Sequence, residues 1–131
     1  ALPYAVIAND IKEAKAGGKK ADPRIIRELE GEKILAKLPP EAFVIVLDER
    51  GVALGSEGLA ALLDRHLVAG TAELVAVIGG AYGLSDKVRQ RGNLILSLSA
   101  MTFTHQMARL FVLEQFYRGF TIVRHEPYHN R

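Results

Sequence analysis

The sequence contains no cysteine and no tryptophan. Without thiols the chain can form neither disulfide bonds nor thiolate metal sites, so a reducing cytoplasm is the expected location. No apolar stretch is long enough to cross a bilayer, since the longest ones, residues 43–47 and 74–78, have the length of a strand. The first lysines, from Lys12 onward, follow the first apolar stretch, whereas those of a signal peptide precede it. We therefore expect a cytoplasmic protein without a membrane partner.

The composition indicates one globular domain. The 131 residues are 49% hydrophobic and 24% charged, which suits a single hydrophobic core. The formal net charge of +2 is mildly basic, so it permits a nucleic-acid partner without requiring one.

Strands and helices alternate along the predicted chain. Asp22-Pro23 begins a helix that Pro39-Pro40 ends, and Ser56 is predicted to cap a second helix that stops at Gly70. A short helix near 85–91 and a long one over 104–119 follow. The predicted strands are 4–7, 43–47, 74–78, 93–98 and 120–123. Continuous apolar strands separated by helices predict an α/β fold with a mostly parallel sheet and helices on both faces.

The last helix is apolar around most of its circumference, which indicates burial on two sides. In a small domain the second side can be another subunit, and a two-fold homodimer is the commonest oligomer. The alternative is a central core helix in a monomer. The apolar positions of this helix are Met107, Leu110, Phe111, Val112, Leu113, Phe116 and Tyr117.

Familiar catalytic and nucleotide-binding motifs are absent. Residues 79–83 form a glycine turn after a strand, but its spacing is not that of a dinucleotide or P-loop motif. No serine lies in a nucleophile elbow. His125 and His129 are separated by Pro127, which prevents a two-histidine metal site on one helical face, so no metal is predicted. His66 reads as structural, whereas His105 begins a helix after a polar turn, where it can meet a ligand.

Four segments in this order and spacing carry a specific resemblance. They are residues 77–85 (VIGGAYGLS), 96–105 (LSLSAMTFTH), 114–118 (EQFYR) and 127–129 (PYH). Together they closely resemble the ribosomal RNA large subunit methyltransferase H family of the SPOUT superfamily, over essentially the whole chain from Tyr4 onward.

The resemblance implies both a fold and an activity. It implies a single SPOUT methyltransferase domain over residues 1–131, with a deep C-terminal trefoil knot whose loops hold the cofactor, and a homodimer with sites at its interface. Family members use S-adenosylmethionine to methylate N3 of a pseudouridine in 23S ribosomal RNA. The substrate form, whether free RNA, large subunit or assembled ribosome, stays open.

The motif match also assigns residues to the cofactor. The positions implied to bind S-adenosylmethionine are Leu47, Gly80, Leu98, Ser99, Ala100, Met101, Thr102 and Phe103. Apolar side chains in this set suit an adenine slot.

Further roles follow from the implied substrate. Methylation at N3 requires loss of a weakly acidic proton, for which His129 and His105 are the near-neutral acceptors. Arg118 can stabilise the developing charge, and Tyr128 can stack on the base. Which residue is the base stays open. The residues expected to contact RNA are Lys15, Lys19, Lys20, Arg109 and Arg124, although the lysines could equally form a solvated loop.

The chain departs from the family at two places. Thr104 stands where relatives usually have proline, and the strand and helix with which relatives begin are missing before Ala1. We expect that this first segment lies outside the present numbering. The alternative function is a non-catalytic RNA- or ribosome-binding dimer on the same scaffold, but a binder has no need of the cofactor turn and the tail.

Overall fold

The structure is a computed structural model that describes residues 4–8, 22–79, 83–99, 101 and 103–129. Within these ranges strands and helices alternate along the chain. The strands are β1 (Tyr4–Ala8), β2 (Phe43–Ala53), β3 (Leu74–Ile78) and β4 (Leu94–Ser97). The helices are α1 (Pro23–Lys37), α2 (Ser56–Ala69), α3 (Asp86–Arg91) and α4 (His105–Val123).

The strands form one parallel sheet in the order β1-β3-β2-β4. Alternate residues of each strand face opposite sides, so the sheet carries two apolar cores. On one side Ile45 and Ala76 pack with α2 and α4, and on the other Val46 and Val77 pack with α1 and α3. The predicted α/β class with helices on both faces of a parallel sheet is therefore confirmed.

Local capping chemistry sets most helix ends. Asp22 accepts a hydrogen bond from the Arg24 N–H at the start of α1, and Ser85 does the same for Val88 in α3. Gly70 ends α2 in the left-handed conformation, with φ of 72°, as predicted. Thr104 caps α4 by accepting from the Met107 N–H. This side chain thus supplies a cap at the position where the resemblance implies proline.

Two predictions about element boundaries are wrong. Residues 120–123 are not a strand, because α4 continues to Val123. Gly119 does not end this helix; a Cβ there would lie 2.7 Å from Leu63 Cδ1, so glycine permits close packing on α2. Ser56 is the first residue of α2 and not its cap, since the capping position is Gly55 and the Ser56 hydroxyl donates to Gln115 Oε1 at 2.5 Å.

Strand β2 is longer than predicted and irregular beyond Leu47. Leu47 and Val52 both pair with Leu96, so residues 48–51 bulge out of the pairing with β4. At Gly51 a Cβ would lie 2.6 Å from the Ile95 carbonyl oxygen, which explains why glycine stands there. The bulge places three charged residues at the end of the sheet: Asp48, Glu49 and Arg50.

Two further predictions concern the whole chain. Among the described residues, no helix is long and apolar enough to cross a membrane. The predicted trefoil knot depends on loops that include residues 80–82, 100 and 102, which lie outside the described residues. The knot therefore stays a prediction.

Candidate functional site

A cavity of about 360 Å³ lies at the carboxyl ends of β2, β3 and β4. This edge is where parallel α/β sheets bind small ligands. We call it the strand-end cavity. Its lining residues are Leu47, Asp48, Glu49, Arg50, Ile78, Gly79, Gly83, Leu84, Arg89, Leu98, Ser99, Met101, Phe103 and Ala108.

The structure brings together five of the residues assigned to the cofactor from the sequence. These residues come from the end of β2 and from the loop after β4, and all of them line the strand-end cavity: Leu47, Leu98, Ser99, Met101 and Phe103. The other three positions of that set, Gly80, Ala100 and Thr102, lie outside the described residues.

The loop after β4 is organised by serine hydroxyl groups. Ser97 Oγ donates to the Ser99 carbonyl at 3.0 Å, and Ser99 Oγ accepts from the Met101 N–H at 3.1 Å. Beyond this turn the Phe103 ring packs edge-on against Phe111 of α4, with centroids 5.1 Å apart. These contacts fix the cavity wall against α4.

The polar side of the cavity was missed by the sequence analysis. Asp48 Oδ2 accepts from Arg89 Nη2 at 2.8 Å and from Arg50 Nη2 at 3.2 Å. Burial by itself would raise the pKa of Asp48, but the Arg50 hydrogen bonds and the Arg89 charge outweigh it, so the pKa lies below 3.8. The available signal was that Asp48 is the first charged residue after a buried parallel strand.

A second cavity, of about 350 Å³, lies between β4, the start of α2 and α4. Leu98 and Phe103 line both cavities, so they separate one from the other. Gln115 and Ser56 form part of the second cavity and are hydrogen-bonded to each other. Gln115 also donates to Glu114 Oε1 at 3.0 Å, and Glu114 accepts from Tyr128. Hydrogen bonds therefore connect the second cavity to the C-terminal segment.

Four side chains at the C-terminal end form a hydrogen-bonded group that we call the tail cluster: Glu114, Arg118, Tyr128 and His129. Arg118 donates to both Glu114 oxygens, at 3.1 and 3.0 Å. Its guanidinium also lies over the Tyr128 ring, 4.8 Å from the centroid. Tyr128 donates to Glu114 Oε2 at 3.1 Å. The tail is therefore held against α4, and the cluster contains three of the four residues predicted to act on the substrate.

Glu114 is the member of the tail cluster that the sequence analysis missed. Its spacing of four residues from Arg118 on a helix was the available signal. The hydrogen bonds from Arg118 lower the pKa of Glu114 below 4.5; burial opposes this shift, and a weaker effect of the Tyr128 hydrogen bond supports it. The bond to Glu114 also raises the pKa of Tyr128 above its usual 10.0, because the phenol O–H donates to the carboxylate.

The contact between Arg118 and His129 determines a tautomer. The Arg118 Nη1 and His129 Nδ1 atoms are 2.9 Å apart. A guanidinium has no acceptor, so Arg118 donates and Nδ1 accepts. Neutral His129 therefore carries its proton on Nε2.

The remaining predicted residues are dispersed. His105 is the first residue of α4, and its side chain lies outside the described part of the chain. Arg109 and Arg124 are exposed near opposite ends of α4, and the structure does not bring them together. Lys15, Lys19 and Lys20 lie outside the described residues.

His66 has the structural contacts that the sequence predicts. Its Nδ1 lies 2.6 Å from Thr71 Oγ1, and its ring packs against Phe43. In the described ranges no group of three or more acidic or histidine side chains is arranged to hold a metal ion.

Comparisons of the sequence with known proteins identify its family. The sequence model of a family described as "Predicted SPOUT methyltransferase" matches residues 3–129. A protein of Syntrophotalea carbinolica named ribosomal RNA large subunit methyltransferase H is 58% identical over 99% of this chain and 81% of its own length. Proteins of the same name are 56% identical in Pelobacter propionicus, over 80% of this chain and 68% of that protein, and 52% identical in Geotalea daltonii, over 92% and 78%. The chain therefore belongs to the SPOUT methyltransferase family, with members named ribosomal RNA large subunit methyltransferase H among its similar relatives.

Proposed function

We propose that this protein uses S-adenosylmethionine to methylate N3 of a pseudouridine in 23S ribosomal RNA, within the large subunit or the assembled ribosome. The observation that carries the proposal is the strand-end cavity, which gathers five of the residues assigned to the cofactor around one ligand-sized space. The names of the relatives support ribosomal RNA as the substrate class. Action on ribosomal RNA would take place in the cytoplasm.

The residues around the strand-end cavity fit this donor. Leu47, Leu98 and Phe103 offer apolar walls suited to the adenine ring, while Arg89, held by Asp48, supplies a positive charge for the anionic group of the ligand. When bound, S-adenosylmethionine supplies an electrophilic methyl group on its sulfonium. The protein's own contribution is to hold the donor and the acceptor nitrogen in line and to exclude water.

The tail cluster is proposed to act on the uracil-type ring. Arg118 is fixed by its two bonds to Glu114, so its positive charge is positioned in advance to stabilise the anion that develops as N3 loses its proton. Tyr128 is partly exposed beside this guanidinium, and its ring is proposed to stack on the base.

His129 can accept a proton only when its unprotonated ring nitrogen is free of a hydrogen bond. With Nδ1 occupied by Arg118, the imidazole presents an Nε2–H, which donates and does not accept. Proton removal by His129 therefore needs its imidazole to turn away from Arg118, which Glu114 keeps in place. His105, at the start of α4, remains the second candidate base.

We also propose a homodimer that uses the exposed face of α4. Several large apolar side chains on this helix are exposed in the single chain, which an isolated soluble protein rarely arranges in one continuous patch. They are Met107, Leu110, Phe111, Leu113 and Tyr117.

The proposal also includes the C-terminal trefoil knot. Arg109, Arg124 and the lysines at 15, 19 and 20 are proposed to contact RNA phosphates.

Calorimetry with S-adenosylmethionine tests the cofactor part of the proposal. We expect saturable binding by the wild-type chain. Absence of binding would favour the non-catalytic alternative, an RNA- or ribosome-binding protein on the same scaffold.

Deletion of residues 128–131 tests the role of the tail. The cofactor affinity should be retained, because the described residues of the deleted segment do not line the strand-end cavity. Methyl transfer should fall by about a hundredfold or more, since loss of a positioned proton acceptor has that effect. Full activity of the deletion on ribosomes would remove the tail from the mechanism and leave His105 and Arg118 as the residues to examine.

A further inference from the structure

Arg89 of α3 has an unusual environment within the strand-end cavity. Its Nη2 donates to Asp48 Oδ2 at 2.8 Å, and its side chain is about one-third exposed, at 31%. Its Nε–H, however, is buried and has no hydrogen-bond partner among the residues that the structure describes. A buried donor of a charged group is costly to leave unpaired, so this position favours an acceptor beyond those that the described residues supply.

Asp48 anchors this arginine and is not itself open to a ligand. Its Oδ1 accepts from the Arg50 N–H at 2.9 Å and from Arg50 Nε at 3.3 Å. Its Oδ2 accepts from Arg50 Nη2 and from Arg89. A carboxylate offers about four acceptor sites, and all four are used. Asp48 therefore fixes the guanidinium, whereas Arg89 lines the cavity and has an Nε–H that no described residue accepts.

We propose that Arg89, held by Asp48, binds the carboxylate at the amino-acid end of the methyl donor. This inference rests on the proposed function. A guanidinium matches a carboxylate in shape and charge. The adenosine end of the donor would lie against the apolar residues of the same cavity, Leu47, Leu98 and Phe103. Arg89 is a binding residue in this account, because it touches the donor away from the reacting methyl group.

Two ligands separate this role from a general effect on the cavity. S-adenosylhomocysteine has the adenosine and the amino-acid end, whereas 5′-methylthioadenosine has the adenosine without that end. In calorimetry, Arg89→Gln should weaken binding of the first ligand by about 10- to 100-fold and leave binding of the second unchanged. Asp48→Asn, which weakens the anchor, should produce a smaller loss with the same selectivity.

The matched control is Lys87→Gln, which removes one positive charge from an exposed position on the same helix and does not line the cavity. It should leave both affinities unchanged. Thermal unfolding of each variant checks the fold, and Arg89→Lys, which keeps the charge but loses the planar fork, serves if the glutamine variant is unstable. The lysine variant should also lose affinity for S-adenosylhomocysteine alone.

The outcomes are distinct. Equal losses for both ligands, or no loss for either, would overturn the role of Arg89 while the proposed function stands. A raised KM for RNA with unchanged S-adenosylhomocysteine affinity would assign Arg89 to an RNA phosphate and also overturn the inference. If the wild-type chain binds neither ligand, the proposed function fails, and this inference fails with it.

Discussion

At the scale of single residues, the chemistry depends on charged side chains that hold one another in place. Glu114 fixes Arg118 through two hydrogen bonds and also accepts from Tyr128. At the other site Asp48 holds Arg89 through a single ion pair at 2.8 Å. In both cases a carboxylate orients a guanidinium, which we propose is the group that meets the ligand or substrate.

The lowered pKa of Glu114 makes the stability of the tail cluster depend on pH. Because the folded pKa lies below the usual 4.5, the carboxylate stabilises the fold above that pH, and the contribution is lost as the pH falls through the folded value. Glu114→Gln should therefore lower the free energy of unfolding at neutral pH, and the difference from wild type should vanish in acid. Urea unfolding over a pH series measures this. Glu41→Gln, at an exposed position outside the cluster, is the control, and a pH-independent difference for Glu114→Gln would contradict the account.

At the scale of elements, the irregular end of β2 forms the polar side of the strand-end cavity. The pairing of β2 with β4 is interrupted between Leu47 and Val52, which lets Asp48 and Arg50 turn into the cavity. Gly51 allows this path, because it lies against the backbone of Ile95. The bulge therefore links strand geometry to the polar lining of the cavity.

Gly51→Ala tests the bulge. A Cβ at this position would lie 2.6 Å from the Ile95 carbonyl oxygen, so the two strands must separate. We expect a loss of about 1–3 kcal/mol in the free energy of unfolding, by analogy with overpacked cores, together with weaker cofactor binding. Gly58→Ala is the control, because a Cβ there meets only the Leu54 side chain, at an ordinary contact distance of 3.5 Å. Equal stability of the two variants would show that the bulge tolerates a side chain.

The elements could be predicted from the sequence where local patterns decide them, and not where packing decides them. The apolar run at 74–78 indicated β3 with its observed bounds, and Gly70 indicated the end of α2. The run after Gly119 was predicted as a strand because glycine followed by Phe-Thr-Ile-Val has strand character. In the structure α4 continues through this glycine, and the absence of a side chain leaves room for Leu63 of α2.

The candidate site was likewise predictable only where a local sequence pattern marks it. The resemblance indicated the loop after β4, and the structure places its described residues around the cavity. The pairing of Asp48 with Arg89 joins the end of β2 to α3, which are far apart in sequence, and no local pattern shows such a contact.

At the scale of the whole molecule, the exposed apolar face of α4 underlies the proposed homodimer. The structure distinguishes two kinds of substitution on this helix. Phe116 is buried within the chain, so Phe116→Glu should unfold it, because an unpaired carboxylate in a core is costly. Leu113 is partly exposed, and Leu110 is 64% exposed, so a charge at Leu110 can affect assembly without disrupting the core.

Leu110→Glu should convert a dimer into a folded monomer. Val68→Glu, at a position of α2 that is 83% exposed, is the control and should leave the assembly unchanged. Sedimentation at micromolar concentration measures both. A wild-type chain that sediments as a monomer would defeat the dimer proposal directly.

The central claim is tested most directly by transfer of a labelled methyl group from S-adenosylmethionine to ribosomal RNA. The purified chain is incubated with naked 23S RNA, isolated large subunits or assembled ribosomes, and the product nucleosides are identified by mass spectrometry. The account predicts one methyl group on N3 of a pseudouridine of 23S RNA in the large subunit or ribosome, and strong loss of it when residues 128–131 are deleted. A chain that binds S-adenosylmethionine but leaves all three RNA forms unmethylated, or one that methylates a different atom, would contradict the account.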